Sequence, residues 1–400
     1  MKINKAYRYE IKPNVKERIA CAKHAGTARF TYNWALKQRI DLYEKDKTFT
    51  NAIEQHRILN SLKAQEFSWM YEVSKCAPQE ALRDLDRAFK NFYRGLKQGK
   101  KVGFPKFKKK GRHDSFRLTG TIKIEEDTIQ LPRLGKLRLK EIPAVKGKIL
   151  SATVSRQADR WFVSLTVEEE MNSPPPVQGN SIGIDLGLTF FLTTSEEVKV
   201  LPPRPLKKAL KKLKKLSQQH SRKQAGSKNK KKSVLRLARH HRKIRNKRHD
   251  FQHKLSTQLA KTKSVIVVED LSIKEMLQKK RLSRHISDMG WAQFIFMLEY
   301  KTKWYGSQLK KAPPYYPSTR QCSSCGYLME KMSLNVREWV CPCCRKIHDR
   351  EVNAAINLLN TYTGSSPGIY ACGDASNGES QKLSSYASSK QEMTKWNICP

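Results

Sequence analysis

The stretch Ile182-Gly-Ile-Asp-Leu-Gly-Leu188 decides the fold that the sequence predicts for the second half of the chain. Its apolar residues are typical of a buried strand, and Asp185 stands in the middle of them. A carboxylate in such a place is costly unless a cation or a hydrogen-bond donor faces it. We therefore expect a strand that opens an α/β domain and carries a functional acid, with residues 190–194 returning as the second strand of a hairpin.

Two further acids lie where the chain is expected to return to that sheet. Glu269 follows the strand-like run Val265-Ile-Val-Val268, and Asp349 lies in His348-Asp-Arg-Glu-Val-Asn-Ala-Ala355. Acids on a first strand, at the end of a later strand and at a following helix can converge on two Mg²⁺ ions. Such a pair of ions activates water and stabilises the leaving oxygen in phosphodiester hydrolysis. Asn353, one helical turn after Asp349, can share its face.

Each acid also has a simpler interpretation when it is considered alone. Asp185 could begin a phosphate-binding turn, Glu269 could cap the next helix together with Asp270, and Asp349 could be a helix N-cap. Asp270 is the main alternative to Glu269, which is preferred because it continues the buried strand. The three acids together, in a strongly basic chain, favour a nuclease centre.

A cysteine cluster lies between the second and third acids. Cys322-Ser-Ser-Cys325 is followed, after 15 residues, by Cys341-Pro-Cys-Cys344. Two such pairs place four thiolates around one tetrahedral Zn²⁺ and leave no open position for catalysis. Cys343 makes the second pair ambiguous, but the two-residue gap favours Cys341 and Cys344. The spacing predicts a structural zinc ribbon.

The charge of the chain predicts a polyanionic partner. Its 400 residues contain 79 Lys and Arg against 36 Asp and Glu, a formal net charge of +43. Nucleic acid is the usual partner of such an excess, because binding releases counterions. No apolar run approaches the length of a membrane span, and the first residues lack the apolar region of a signal peptide. We expect a cytoplasmic nucleic-acid-binding protein that has no membrane partner.

The remaining segments predict a chain of several domains. Residues 3–11 favour a strand, helices continue to about residue 98 after a capping box at Asn14 and Glu17, and short strands follow up to residue 170. Pro174–Pro176 is a linker. Residues 201–250 contain 20 Lys and Arg against one acid, and their leucine spacing indicates a basic helical hairpin. An amphipathic helix is expected over residues 291–309. The Ser- and Gly-rich residues from 361 onward are expected to be disordered.

Taken in order, these motifs resemble the TnpB family, also called OrfB, which is related to the small type V CRISPR nucleases. The resemblance covers about residues 3–360. It rests on the following sequences: Gly183-Ile-Asp-Leu-Gly187, Val268-Glu-Asp-Leu271, Gly290-Trp291, Tyr300, Trp304-Tyr-Gly306, the four cysteines, His348-Asp-Arg-x-x-Asn-Ala-Ala-x-Asn357, Lys12-Pro-Asn14, Arg29-Phe-x-Tyr-Asn33 and Gly103-Phe-Pro-x-Phe107.

The resemblance implies an RNA-guided endonuclease that cuts double-stranded DNA. Such an enzyme uses an RNA from the transposon right end (ωRNA), one protein per RNA, and a short transposon-adjacent motif. Asp185, Glu269 and Asp349 match the three catalytic acids, which hold Mg²⁺. Lys75 and Gln79 match positions that meet the adjacent motif, and both side-chain types can bind base edges in the major groove.

The resemblance also implies a mixed α/β architecture in which a RuvC-like (RNase H-type) core carries an inserted zinc ribbon, and a wedge-like β-barrel carries an inserted helical recognition lobe. The expected parts are as follows: barrel strand 1–12, recognition lobe 13–100, remaining barrel 101–172, linker 173–180, first nuclease part 181–315 with a basic helical insertion at 201–260, zinc ribbon 316–345, last nuclease part 346–362 and tail 363–400.

Two other functions stay open at this point. A guided DNA-binding repressor could have lost cleavage, although all three acidic positions are still acidic here. A conventional transposase could share an RNase H-type core, because one fold supports several chemistries. Whether the purified chain retains a discrete RNA distinguishes the guided proteins from a transposase.

Overall fold

The computed structural model describes residues 2–202, 204–278, 282–333 and 335–364, apart from the side chains of residues 204–208. The tail expected at residues 363–400 therefore lies outside the described residues from position 365 onward. The chain divides into two compact units. The first contains Met1–Asn172 and His220–Arg242, and the second contains Ser173–Gln219 and Lys243–Pro400. No helix among the described residues is both long enough and apolar enough to cross a membrane.

The part of the first unit that ends at Asn172 combines strands with three α-helices and a short 3-10 helix. Its strands are β1 Lys2–Ile11, β2 Ser115–Leu118, β3 Lys123–Glu125, β4 Thr128–Leu131, β5 Gly135–Arg138, β6 Lys148–Gln157 and β7 Arg160–Glu170. Its helices are α1 Val15–Asp46, α2 Ala52–Leu62, the 3-10 helix Ser68–Glu72 and α3 Cys76–Lys97. The predicted order of one strand, then helices, then short strands is confirmed.

Two antiparallel sheets form the β part of this unit. One has the order β1-β7-β6-β2 and the other β3-β4-β5. β1 pairs with β7 along its full length, from Lys2 opposite Glu170 to Ile11 opposite Trp161. An isolated bridge also pairs Ile11 with Leu139, just after β5. Alternating side chains of β6 and β7 are buried, as period-two patterning requires of a sheet with one covered face.

Local sequence signals fix the helix ends. Asn14 and Glu17 form the predicted capping box, in which each side chain accepts a hydrogen bond from the other residue's backbone N–H. The second capping box, Asn51 with Glu54, starts α2 in the same way. Pro78 lies in the first turn of α3, where its missing N–H interrupts no helical hydrogen bond.

The second unit is built on a mixed sheet and carries a small two-stranded sheet. Its strands are β8 Ile182–Asp185, β9 Leu192–Thr194, β10 Lys199–Val200, β11 Val265–Val268, β12 Gln308–Lys311, β13 Glu338–Val340 and β14 Ile347–Asp349. The five-stranded sheet has the order β10-β9-β8-β11-β12. β9 is antiparallel to β8 and to β10, whereas β11 runs parallel to both β8 and β12. The predicted hairpin of β8 and β9 is confirmed.

The remaining helices follow the strands of the second unit. They are α4 Arg204–Ser221, α5 Lys228–Thr262, α6 Ile273–Met276, α7 Ser283–Met289, α8 Trp291–Tyr305 and α9 Arg350–Thr363. The basic segment is therefore helical, as predicted, and both α4 and α5 contribute residues to both units. The amphipathic helix expected at residues 291–309 is α8, which ends at Gly306 because that residue adopts a left-handed backbone conformation.

The two faces of the five-stranded sheet are covered differently. Ile182, Ile184, Ile266 and Val268 belong to one core cluster, with residues of α5 and α8. Val265 and Val267 belong to another, with Leu358 of α9. Gly183 lies so close to α9 that a Cβ would stand 1.9 Å from the carbonyl oxygen of Ala355. The glycine therefore allows α9 to cross β8 closely, and this brings the start of α9 near the end of β8.

Candidate functional site

Asp185 and Glu269 are brought side by side by two neighbouring parallel strands. Val268 of β11 is paired with Ile184 of β8, so each acid is the next residue along its strand. Adjacent strands lie about 4.8 Å apart, and residues at alternate positions point to the same face. Both acids therefore share the face of Gly183 and Val267, against which α9 packs. Both are partly exposed, whereas the alternative acid Asp270 is exposed and forms an ion pair with Lys311.

The two carboxyl groups are electrostatically unusual. Burial, followed by the negative charges of Glu269 and Glu351, raises the pKa of Asp185 to about 7. Burial also raises the pKa of Glu269. Desolvated like charges of this kind repel each other, and a divalent cation between them would remove the repulsion. The donor set of two carboxylates at one sheet edge therefore fits a hard cation such as Mg²⁺.

Asp349 lies at the junction of β14 and α9, with its carboxylate occupied in two ways. It is the N-cap of α9, where one oxygen accepts a hydrogen bond from the backbone N–H of Val352 at 3.0 Å. The other oxygen forms an ion pair with Lys199 of β10. The N-cap alternative raised by the sequence is thus confirmed, and it does not conflict with a further role for the same carboxylate.

Glu351 is an acid that the sequence interpretation did not single out. It lies in the first turn of α9, is mostly buried, and forms an ion pair with Arg337. Its negative charge is one of the causes that raise the pKa of Asp185. The signal for it was in the sequence, since Glu351 lies two positions before Asn353, in the first turn of the same helix.

Asn353, which was expected to share the face of Asp349, instead connects α9 to the cysteine-bearing segment. Its amide donates a hydrogen bond to the carbonyl of Gln321 at 2.7 Å and accepts one from the N–H of Ser323 at 2.9 Å. Asn357, one turn later, donates to the carbonyls of Ser318 at 2.8 Å and Gln321 at 2.6 Å. Both side chains are buried, so they fix the base of the cysteine segment against α9.

Four cysteines converge at the tip of that segment. The sulfur atoms of Cys322, Cys325, Cys341 and Cys344 all lie within 4.8 Å of one another. Two of the Sγ–Sγ distances are 3.7 Å (Cys322–Cys344) and 3.5 Å (Cys325–Cys341). A tetrahedral Zn²⁺ with four thiolates needs about 3.8 Å between sulfurs. The four cysteines predicted from the spacing, with Cys344 rather than Cys343, therefore form a cluster that fits structural zinc.

A buried histidine supports this cluster. The Nε2 atom of His348 lies 3.0 Å from the Sγ of Cys322, and the ring packs at 4.9 Å on Trp339. The backbone N–H of Lys346 lowers the pKa of Cys344 to about 7. His348 immediately precedes Asp349, the N-cap of α9, so the residue that supports the cysteine cluster is adjacent in sequence to the start of α9.

The two residues expected to meet a DNA motif lie at the start of α3, in the first unit. Lys75 is the N-cap residue and is exposed, and Gln79 follows in the first helical turn and is partly exposed. Lys75 lines a groove of about 750 Å³ together with Lys63 and Arg133. Gln79 is not among the residues that line this groove. The structure thus places Lys75 on an open, basic surface.

Three family models match the chain. Residues 164–280 match OrfB_IS605, described as "Probable transposase", and residues 291–358 match "Cas12f1-like, TNB domain". Residues 1–48 match the helix-turn-helix domain of the OrfB_IS605 group. The first match contains Asp185 and Glu269, and the second contains all four cysteines and Asp349.

Several curated relatives are similar over nearly the whole chain. A Streptomyces pristinaespiralis protein named "Putative RNA-guided DNA endonuclease" is 34% identical over 379 residues, covering 93% of this chain and 92% of that protein. An Escherichia coli K12 protein named "Putative RNA-guided DNA endonuclease InsQ" is 31% identical, covering 94% and 95%.

The fold has a counterpart among solved structures. It is similar to a chain in the "Cryo-EM structure of the Cas12f1-sgRNA-target DNA complex", with a TM-score of 0.54 over 90% of this chain and 99% of that chain. Sequence identity is 15%, so this likeness concerns the fold alone. The near-complete matches to curated relatives are stronger. By that similarity, the chain belongs to the TnpB family of transposon-encoded OrfB proteins.

Proposed function

We propose that this protein is an RNA-guided endonuclease that cuts double-stranded DNA and acts in the prokaryotic cytoplasm. One observation carries the proposal: Asp185 and Glu269 stand together at the ends of neighbouring parallel strands, beside the start of α9. The relatives named as RNA-guided DNA endonucleases support the reaction, and the net charge of +43 supports nucleic-acid partners.

The second unit is proposed to be a RuvC-like core of the RNase H type. Its sheet places the five strands in the order third, second, first, fourth and fifth along the unit, with only the second strand reversed. This order puts the ends of the first and fourth strands next to each other. The first unit is proposed to be the wedge-like barrel, residues 1–12 and 101–172, with residues 13–100 as its recognition lobe.

Asp185 and Glu269 would hold Mg²⁺ through their carboxylates. When bound, the metal ions would supply an activated water and stabilise the leaving oxygen of the phosphodiester. The protein's own part is to hold two desolvated carboxylates in register. Strand pairing fixes their spacing.

A third carboxylate comes from the start of α9. Asp349 is the residue that matches the family motif, and we keep it as the proposed ligand. Glu351 is a second candidate, because its charge is one of those that raise the pKa of Asp185. In this structure each is paired with a cation, Asp349 with Lys199 and Glu351 with Arg337. Binding of a metal ion would have to compete with one of these pairs.

The guide would be an ωRNA from the transposon right end, and the protein would recognise a short transposon-adjacent motif. Base pairing then determines the sequence that is cut, and the protein contacts backbone and the flanking motif. Lys75 and Gln79 are proposed as the motif contacts. The exposure of Lys75 on a basic groove supports this role.

A cleavage assay with the retained RNA tests the function. The chain is co-expressed with its native element flank and purified with its RNA. It is then incubated with Mg²⁺ and plasmids that carry a guide-matched target beside a randomised flank. Linear plasmid that requires both the match and particular flanks is the expected result. Asp185→Ala should retain the RNA and lose the cutting.

Other outcomes would assign a different function. Tight, match-dependent binding without cutting in the wild type would indicate a guided repressor. Joining of DNA strands by a chain that carries no discrete RNA would indicate a conventional transposase. Metal-dependent cutting that survives in Asp185→Ala would refute the assignment of the catalytic acids.

A further inference from the structure

An aromatic cavity in the first unit has no role in the function proposed so far. Its volume is about 800 Å³, within the range of small-ligand sites. It lies between the C-terminal part of α1, the C-terminal part of α3 and the segments that follow these helices. Six aromatic rings line it: Tyr43, Phe49, Phe89, Phe92, Tyr93 and Phe104.

These rings are unusually open to solvent for aromatic side chains. Phe49 is 72% exposed, Tyr43 48% and Phe104 46%. They also contact one another, with ring centroids 5.4 Å apart for Tyr43 and Phe49 and 5.5 Å apart for Phe89 and Phe104. A contiguous exposed apolar patch of this kind marks a binding site, because it gains by being covered.

Exposed cations follow the lining residues along α3: Lys90 comes after Phe89, Arg94 after Tyr93 and Lys97 after Leu96. Residues 87–113 contain eleven Lys and Arg and no Asp or Glu. Of these eleven, only Arg87 forms an ion pair with an acid of the described residues, namely Asp84. At the α1 wall, the Nζ of Lys47 lies 4.9 Å from the centre of the Tyr43 ring. The lining itself contains one base, Arg39, which is paired with Asp86, and one acid, Glu44.

Aromatic faces beside unpaired cations match the chemistry of unpaired nucleotides. Bases stack on the rings, and Lys and Arg contact the phosphates between them. A second copy of this chain does not fit as well, because two copies of this basic segment would repel each other. An RNA guide also fits better than a displaced DNA strand. The guide is bound before any target arrives, so it can cover the rings throughout the life of the complex.

We propose that this cavity binds a short unpaired segment of the guide RNA, with its bases stacked on the exposed rings. The inference rests on the proposed function, since the guide is the occupant. It adds a binding site that is separate from the acids of the second unit and from Lys75. Each ring that stacks on a base should contribute about 1–3 kcal/mol, or roughly 5- to 150-fold in affinity.

The test uses the protein with its co-purified RNA and two substitutions, Phe49→Ala and Tyr93→Ala. Both side chains are exposed, Tyr93 at 42%, so their loss should leave the thermal unfolding temperature unchanged. Tyr93→Trp keeps a stacking surface at the same position. Tyr315→Ala, which removes an 87% exposed ring of the second unit, is the matched control. The measurements are the dissociation constant for the RNA and the reactivity of its bases towards dimethyl sulfate.

The expected result has three parts. The dissociation constant rises about tenfold or more in each alanine variant. One short stretch of unpaired bases, protected in the wild type, becomes reactive in both. Tyr93→Trp and Tyr315→Ala behave like the wild type. All of this is measured without target DNA and without cleavage.

Several results would overturn the proposal. If the RNA binds and guides cutting but its affinity and base reactivity are unchanged in both variants, the cavity is not an RNA site, and the proposed function stands without it. Protection that appears only after target DNA is added would assign the cavity to DNA. A change from dimer to monomer in the variants would make it an interface between copies. A chain that retains no RNA would remove both the inference and the guided function.

Discussion

The cysteine cluster and the acid site are joined at His348 and Asp349, which are adjacent in sequence. They are nevertheless assembled in different ways. The four cysteines come from two short pairs within 23 residues, and a local fold brings their sulfurs together. The acids come from β8, β11 and the start of α9, which are separated by about 80 residues each time. The cluster is therefore a property of local spacing, whereas the acid site is a property of sheet topology.

This difference determines how the cysteine cluster and the acid site should each respond to a substitution. Loss of one ligand should abolish a structural zinc site, because metal binding is what stabilises the fold around the ligands. The acid pair is held by strand pairing and by the close contact of α9 with Gly183, so its geometry should survive the loss of one carboxylate. Substitutions at the first region should thus alter structure, and those at the second should alter chemistry alone.

The largest effect is expected for Cys322→Ser. Structural zinc contributes about 10–16 kcal/mol of binding free energy in small zinc modules, and three thiolates leave its coordination incomplete. The variant should lose its zinc, fall from one ion per chain to none by elemental analysis, and become sensitive to protease near residues 316–345. Cys343→Ser is the control and should keep one zinc. Equal zinc loss in both would contradict the ligand set.

The next largest effect should distinguish between Asp349 and Glu351, the two acids at the start of α9. Replacing the acid that holds the metal should reduce single-turnover cleavage about 10²-fold or more, since that corresponds to roughly 3 kcal/mol of transition-state stabilisation. Asp349→Asn and Glu351→Gln are compared in the same complex. We expect the large loss in Asp349→Asn and a small change in Glu351→Gln; the reverse would make Glu351 the ligand. Small changes in both variants would mean that α9 contributes no acid to the metal site.

A smaller effect is expected where the two regions are joined. Asn353→Ala removes the hydrogen bonds to Gln321 and Ser323 in a buried site, which should cost about 1–3 kcal/mol of unfolding free energy. Denaturant unfolding of the zinc-loaded protein measures this cost. Asn360→Ala, on the same helix and less buried, is the control. An equal loss in both variants would mean that the cysteine segment does not depend on Asn353.

The smallest effect is a gain in stability at Asp185. The pKa of this carboxyl is about 7 in the folded chain and near 3.8 when it is unperturbed. The folded state therefore binds the proton more tightly, and stability is lost as pH rises from about 4 to 7. Asp185→Asn should raise the unfolding temperature of the metal-free protein by a few degrees at pH 8 and by less at pH 5. Asp270→Asn, at the exposed residue next to Glu269, should leave the unfolding temperature unchanged at both pH values.

The two regions could be predicted from the sequence to different extents, because the cysteine cluster depends on local spacing and the acid site depends on sheet topology. The convergence of the four cysteines, with Cys344 rather than Cys343, followed from the two-residue gaps. Strand register then placed Glu269 beside Asp185 as expected. Neither spacing nor periodicity could show that Glu351 acts on Asp185, because that depends on how closely α9 crosses β8. Asn353 was assigned to the face of Asp349 from helix geometry, but its partners belong to the cysteine segment, which sequence position does not reveal.

The most direct test of the central claim compares two adjacent acids at the end of β11. Glu269 shares the sheet face of Asp185, whereas Asp270 is exposed and paired with Lys311. Single-turnover cleavage of a matched plasmid is measured for Glu269→Gln and Asp270→Asn in the RNA-loaded protein. The account predicts a loss of about 10²-fold or more for Glu269→Gln and less than about threefold for Asp270→Asn. The reverse order would contradict a nuclease centre at the paired ends of β8 and β11.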